Sequence, residues 1–421
     1  MFNLVKSKNK DCVMNQKVNL DVDLMTAWRR SIHQNPELGF EELATSRLVA
    51  EQLGAWGYSV SIGMAETGVV GQLVFGDGSG PKLGLRADMD ALPLQEETGL
   101  PWASQNDGKM HACGHDGHTA ILLGAAKALS ESYQSDPNRF NGVLNLIFQP
   151  AEEVGGGGGA QRMIAEGLFD QFPCDAIFAL HNMPGIPVGK CHFRSGPFMC
   201  SSDKVKIVVR GKGGHGGLPH LTIDPIVAAS SIVMALQSIV ARTIDPLDTV
   251  VISVGQLHAG FTYNIIPESV ELELSIRALR PDTRLLIEKK LHSLVQHQAE
   301  AFGCRADIEY ELGYPVLTNH ESVTELMTRA ARAVFGDDGV DSEAPPLTGS
   351  EDFAYMLQQL PGCYVLIGNG DNGHDAGQPI GPCSVHNPHY DFNDENLPLG
   401  ASLWLNLTQE FFETWSENQT S

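Results

Sequence analysis

The sequence predicts an α/β protein in two parts, a larger one built on a mostly parallel sheet and a smaller one of ferredoxin-like order inserted into it. Three observations carry that prediction. A chain of 421 residues exceeds the size at which one hydrophobic core keeps growing. Its outer segments alternate short apolar runs with helical patterns, as a parallel sheet covered by helices on both faces requires. Its middle segment reads strand, helix, strand, strand, helix, strand.

Leu24 to Gly54 reads as two helices separated at Asn35-Pro36-Glu37, because Pro36 disfavours helix at the residue before it and Gly39 adds a second break. Strand-like runs follow at Val69 to Phe75, Lys82 to Arg86, Val143 to Phe148 and Ala176 to Leu180, interleaved with helical patterns over Thr119 to Ser130 and Ala160 to Glu166. A different pattern starts after Ser195-Gly196-Pro197. Lys204 to Arg210 alternates with Val205, Ile207 and Val209 on one face, and a helix over Pro225 to Thr243 opens with Asp224 as N-cap and Pro225 behind it. Thr249 to Val254 and Glu268 to Arg277 are two more strands, Arg284 to Phe302 a helix closed by Gly303, and Ala306 to Glu311 a last strand. Helical patterns resume at Ser322 to Phe335, Asp352 to Leu360 and Leu397 to Trp415, with a strand at Tyr364 to Ile367. Residues 1–196 and 313–421 are thus expected to form one domain and residues 197–312 an inserted second.

With 51 acidic against 28 basic residues the formal charge is −23, which argues against nucleic acid and anionic membranes as partners. Met1 to Lys17 is polar and has no basic segment followed by an apolar one. No uncharged apolar run of about 18 residues stands out, so no membrane span is expected. Eight cysteines without framework spacing point to reduced thiols and a cytoplasmic protein.

Three apolar runs end in potential metal ligands: the one through Leu83 to Leu85 near Asp88 and Asp90, the one through Leu144 to Phe148 at Glu152-Glu153, and Ile177 to Leu180 at His181. In an open parallel sheet the carboxyl ends of strands share an edge, and ligands bind in the crevice there. The densest cluster is His111-Ala112-Cys113-Gly114-His115-Asp116-Gly117-His118. Its two glycines let Cys113 and His115 face one point, and Asp116 suits a helix cap. A thiolate with an imidazole suits Zn, Mn, Co or Ni better than Mg or Ca. Of two adjacent carboxylates, one can bind metal while the other takes a proton from water. The plainer reading of Glu152-Glu153 is a solvated face, which their place between a buried strand and the glycine run 155–159 disfavours. That run lacks the Gly-Lys-Ser/Thr ending of a phosphate loop. Near the C-terminus His386 and His389 compete for one role, and spacing does not choose between them.

Seven segments follow one another along the chain: Arg30-Ser31-Ile32-His33-Gln34-Asn35-Pro36-Glu37, Arg86-Ala87-Asp88-Met89-Asp90-Ala91-Leu92-Pro93, His111 to His118, Phe148-Gln149-Pro150-Ala151-Glu152-Glu153, Gly211-Lys212-Gly213-Gly214-His215-Gly216, Asn264-Ile265-Ile266-Pro267 and Gly349-Ser350-Glu351-Asp352-Phe353. Together and in this order they resemble the M20 metallopeptidase family, specifically its subfamily D of aminoacylase and hippurate-hydrolase-like amidohydrolases. The resemblance implies a metal-binding catalytic domain with an inserted lid, and hydrolysis of N-acetyl- or N-benzoyl-type amino acids. A dipeptidase, a carbamoyl-amide hydrolase or a non-catalytic metal-dependent binding protein are the alternatives on the same scaffold. It implies two divalent metal ions held by Cys113, His115, Glu153, His181 and His386, with Glu152 as general base and Asp88 steadying a ligand. It further implies that His215 reaches a partner subunit's site in a homodimer formed through the lid, with Asn264 a lid contact and Arg277 binding the substrate carboxylate. Two departures stand out. Arg86 occupies the place where other branches carry a histidine, and Leu274-Ser275-Ile276-Arg277 replaces the branch's usual Gly-Thr-Val-Arg. Hinges for the lid are expected near Ser195-Gly196-Pro197 and Gly313-Tyr314-Pro315.

Overall fold

The computed structural model describes residues 20–370 and 383–418. Cys12 and the polar stretch up to Lys17 therefore lie outside the described residues. Two helices open the chain, α1 (Val22–Gln34) and α2 (Leu43–Ala55), on either side of the predicted break. Strands β1 (Ser59–Met64), β2 (Gly68–Phe75) and β3 (Lys82–Asp88) precede helix α3 (His115–Ser135). After β4 (Gly142–Gln149) come α4 (Gly159–Ala165), α5 (Leu168–Gln171), β5 (Ala176–Pro184), β6 (Cys191–His192) and β7 (Gly196–Met199).

The inserted elements are β8 (Asp203–Arg210), β9 (Gly214–His215), α6 (Pro225–Arg242), β10 (Val250–Ala259), β11 (Ile265–Ile266), β12 (Ser269–Ala278), α7 (Pro281–Ala301) and β13 (Arg305–Leu312). The chain then returns through β14 (Leu317–Asn319), α8 (Glu321–Phe335), β15 (Val340–Asp341), α9 (Phe353–Leu357), β16 (Gly362–Gly370) and α10 (Asn396–Asn418).

Eight strands form the main sheet in the order β1-β2-β4-β3-β5-β16-β6-β15. Its middle, β4-β3-β5-β16, is parallel throughout, with Leu83 beside Leu144 and Leu85 beside Leu146. That middle is buried on both faces, which is why these strands read as continuous apolar runs. Antiparallel pairing is confined to the β1–β2 hairpin, its join to β4, and the short β6. The second sheet has the order β10-β12-β8-β13, entirely antiparallel, with α6 and α7 packed against it around Val205, Ile207, Leu272, Leu274, Ile232 and Leu291. Together with the chain order this is the ferredoxin-like arrangement the middle segment predicted.

Among the described residues one helix, α6, is long and apolar enough, by length and composition, to cross a membrane. One face of α6, carrying Ala228, Ala229, Ile232, Leu236 and Ile239, is buried on the second sheet.

Candidate metal centre

Strands β4, β3 and β5 lie side by side and parallel, so their carboxyl ends deliver Glu152-Glu153, Asp88 and His181 to one edge. Beyond β4 the backbone turns through Ala151, which has a φ of 53°. This turn is fixed by Ala151 N donating to Glu42 Oε1 at 2.8 Å and Glu153 N donating to Asp90 Oδ2 at 2.9 Å. Opposite it, Gly114 caps α3 in the left-handed region with φ 98°, a conformation that favours glycine. The expected capping role of Asp116 is not observed. Asp116 lies inside the first turn, its carboxylate against Arg29 and His33.

His386, also left-handed at φ 63°, is tied to the same loop by its N–H donating to Ala112 O at 2.7 Å. Potential ligand atoms of Cys113, His115 and His181 lie within 4.8 Å of one another, as do those of Cys113, Glu153 and His386, and those of His115, Glu152 and Glu153. Cys113 Sγ is 3.3 Å from His181 Nε2, and His386 Nε2 is 2.9 Å from Glu153 Oε1. A cavity of about 520 Å³ opens on Cys113, Glu152, Glu153, His181 and His386. The structure thus brings together all six residues singled out as ligands or base.

Several features fit this shell to cations. His115 Nδ1 is held by Asp90 Oδ1 at 3.1 Å, and its Nε2 is buried with no hydrogen-bond partner among the described residues. An imidazole fixed by a carboxylate on one nitrogen and free on the other is the usual arrangement of a metal-ligating histidine. Glu153 Oε1 is likewise without a hydrogen bond, its contact with His386 being close but misaligned. His118, although grouped with Asp88 and His115, has both nitrogens engaged. Its Nδ1 meets Asp88 Oδ1 at 2.7 Å and its Nε2 accepts from Asn182 N at 3.0 Å. His389 turns away to Glu97, with Nδ1 3.2 Å from its carbonyl oxygen, which separates it from His386.

The electrostatics show an excess of acid. Burial, with Glu153, Glu152 and Asp88 nearby, pushes the Cys113 thiol well above its ordinary range. Burial and the Glu351, Glu153 and Asp352 carboxylates do the same to Glu152. Burial works against a charge on His115, yet Asp88 and Asp90 push it up to about 10. His181 goes the other way, lowered by burial and by His118. Without a cation, protons on Cys113, Glu152 and His115 are what neutralise the cluster.

Arg86 is a wholly buried cation against this edge. Its Nη1 donates to Asp88 Oδ2 at 2.7 Å, its Nη2 to Glu351 Oε1 at 2.9 Å and Asp352 Oδ1 at 3.0 Å, and its Nε to Gln149 Oε1 at 2.9 Å. It therefore replaces a potential metal ligand with a countercharge. Glu351, Asp352 and Tyr314 are the neighbours that sequence reasoning did not place. Tyr314 Oη donates to the Glu152 carbonyl and accepts from Gly155 N at 2.9 Å. The signal for the two acids was present in the Gly349 to Phe353 segment, whereas Tyr314 carried only that of a hinge.

Arg277, on β12, reaches the cavity and donates from Nη1 to Ser350 Oγ at 2.7 Å. Cavity walls beside it are apolar, formed by Met183, Met199, Leu347, Leu366 and Val385. His215 and Asn264 sit together on the β9–β11 ribbon, where Gly216 N donates to Asn264 O at 2.8 Å. Both are exposed and neither lines this chain's cavity.

Comparison with known proteins finds relatives along nearly the whole chain. A hippurate hydrolase of Campylobacter jejuni is 42% identical over 385 residues, covering 91% of this chain and 96% of that one. An N-acetyl-L-cysteine deacetylase of Bacillus subtilis is 39% identical over 377 residues, covering 90% and 85%. Among solved structures, the Bacillus subtilis YXEP protein, described as a dinuclear metal-binding peptidase, superposes with a TM-score of 0.79 at 30% identity over 93% of this chain and 98% of that one. Residues 84–410 match peptidase family M20/M25/M40, and the chain belongs to that family.

Proposed function

We propose that the chain is a metal-dependent amidohydrolase that splits N-acyl amino acids into a carboxylate and a free amino acid. Cys113, His115, Glu153, His181 and His386 hold two divalent ions, drawn from Zn, Mn, Co and Ni by the thiolate and imidazole donors. The observation that carries this reading is the position of Glu152, a buried carboxylate beside the ligand cluster that also lines the cavity. Ions bound there supply Lewis acidity at the scissile carbonyl and lower the pKa of water. Glu152 takes the proton from the attacking water and returns it to the departing nitrogen. Asp90 holds His115 in orientation, whereas Asp88, expected to steady a ligand, bonds His118, which is outside the proposed ligand set.

Arg277, facing the cavity with Ser350, binds the substrate carboxylate. The five apolar side chains of the wall receive the acyl group, and the two methionines suit an aromatic one. His215 serves the site of a partner subunit, with Asn264 beside it, in a homodimer formed through the inserted domain. Exposed Leu257, Phe261, Tyr263 and Met234 on that domain support this pairing; a chain that sediments as a monomer contradicts it. The seven unpaired cysteines of the described residues accord with a reducing, cytoplasmic setting.

Glu152→Gln tests the central role. Amino acid released from N-benzoylglycine should fall about 10²- to 10⁴-fold, with metal content by elemental analysis unchanged. Turnover within tenfold of wild type at full metal content overturns the assignment.

A further inference from the structure

Helix α1 carries two charged side chains into the core. Arg29 and His33 lie one turn apart on its buried face, beside Met25, Trp28 and Ile32. A wholly buried guanidinium needs anionic partners close by, and Arg29 finds them in two separate segments. Its Nε is 2.9 Å from Asp116 Oδ2, in the first turn of α3 next to His115. From its other side, Nη2 donates to Asp391 Oδ1 and Nη1 lies 3.5 Å from Asp394 Oδ1, both in the stretch that follows His386. His33 Nδ1 adds a 2.8 Å contact to Asp116 Oδ2. Trp102 Nε1 donates to Asp391 at 3.2 Å, and Arg30 packs its Cζ 3.6 Å from the Trp102 ring centre while binding Asp394 at 2.8 Å.

His386 is tied to the Cys113 limb by one backbone bond, its N–H to Ala112 O. Its side chain is 52% exposed, so its position also depends on how the segment after it is anchored. We propose that Arg29 is a positioning residue for the metal centre, bridging Asp116 to Asp391 so that the Cys113–His115 limb and the His386 limb stay in register. Lysine cannot take its place, because a single ammonium lacks the planar fork that spans carboxylates on two sides.

The proposal rests on the metal-centre reading, and the experiment separates the two. Zn²⁺ binding to the full chain is titrated against a chromophoric chelator for wild type, Arg29→Lys and Asp391→Asn. Asp391→Asn preserves side-chain shape and leaves Arg29 paired with Asp116, so it decides the matter if Arg29→Lys fails to fold. One of the two Zn²⁺ equivalents should bind about 10- to 100-fold more weakly in the variants, and in Asp391→Asn the other equivalent keeps wild-type affinity, which a general loss of stability would not spare. Wild-type affinity for both equivalents in Asp391→Asn overturns the role of Arg29. So does a lowered metal-free melting temperature with unchanged affinity, which marks a purely structural contact. A wild-type chain that binds no Zn²⁺ sinks the metal-centre reading, and this proposal with it.

Discussion

Arg86→Met removes a wholly buried cation against the carboxyl edge of the parallel strands and keeps an unbranched side chain of comparable reach. Asp88, Glu351 and Asp352 then lose their shared partner, and Gln149 loses a donor. Breaking a buried ion pair from one side costs about 3–5 kcal/mol. A second route to the magnitude gives the same answer. The chain can relieve the uncompensated charge by protonating one carboxylate, which at pH 7 and an ordinary pKa near 4 costs roughly three units at 1.36 kcal/mol each, or about 4 kcal/mol. Protonation becomes easier in acid, so near pH 5 the deficit should shrink to about 1–2 kcal/mol. Urea unfolding of metal-free wild type and variant at both pH values reads this directly. A loss below about 1 kcal/mol at pH 7, or equal losses at both pH values, would show that Arg86 is not the compensating charge.

Gly114→Ala should be among the most damaging small substitutions, because the new methyl group would stand 2.1 Å from Asn182 Nδ2 and 2.5 Å from Tyr390 Oη at a φ of 98°. Left-handed strain and overpacking together cost about 2–6 kcal/mol, and metal content should fall with stability; an unperturbed melting curve contradicts the packing. His33 should make stability fall in alkali. Burial opposes its charge, but Asp116 and Glu96 outweigh burial and raise its pKa to about 9. A raised folded-state pKa contributes stability that is fully present below the unfolded value near 6.5 and is lost as pH rises through about 9. The shift corresponds to at most about 3 kcal/mol, and His33→Gln should flatten the stability curve between about pH 6 and pH 10, whereas an unchanged slope in that variant assigns the loss elsewhere.

What could be read in advance follows from what each residue's environment requires. Strands β3, β4 and β5 were legible because burial on both faces makes them apolar for most of their length, with polar side chains only at Lys82, Arg86, Asp88, Asn145, Gln149, His181 and Asn182. Their order in the sheet then carried Glu152, Glu153 and His181 to one edge without any further assumption. Strand β1 was not foreseen, since Ser59–Met64 is largely exposed and Gly63 disturbs its register with β2. Helix α9 begins later and ends earlier than its apolar pattern suggested, with the Asp352 side chain accepting from Arg86, Gln149 and Ala160 N rather than capping the helix. The choice between His386 and His389 depends on a left-handed residue and a backbone bond to Ala112, neither of which has a sequence signature. Arg86 stands where other branches carry a histidine, and its pairing was not legible because two of its three acidic partners lie 265 and 266 residues away.

Removing the metal offers the broadest test, because the cluster's charge is balanced only in part by the protein itself. Arg86 is committed to Asp88, Glu351 and Asp352, which leaves Glu152 and the Cys113 thiol, both pushed up by burial and neighbouring carboxylates, to be neutralised by protons or by added cations. Protons are held tightly there in the metal-free chain, as the raised positions of Cys113, Glu152 and His115 show. Metal ions must displace protons from Cys113 and His115, so binding releases protons and tightens as pH rises. An ion present at 100 times its Kd adds about 2.7 kcal/mol to the folded state. The loaded protein should therefore melt above the chelator-treated one, and the gap should widen from about pH 6 to about pH 8 as proton competition weakens. Melting curves of both forms at the two pH values decide it. A gap that stays constant or narrows would mean that the bound ions displace no protons, and that Cys113 and His115 do not hold them.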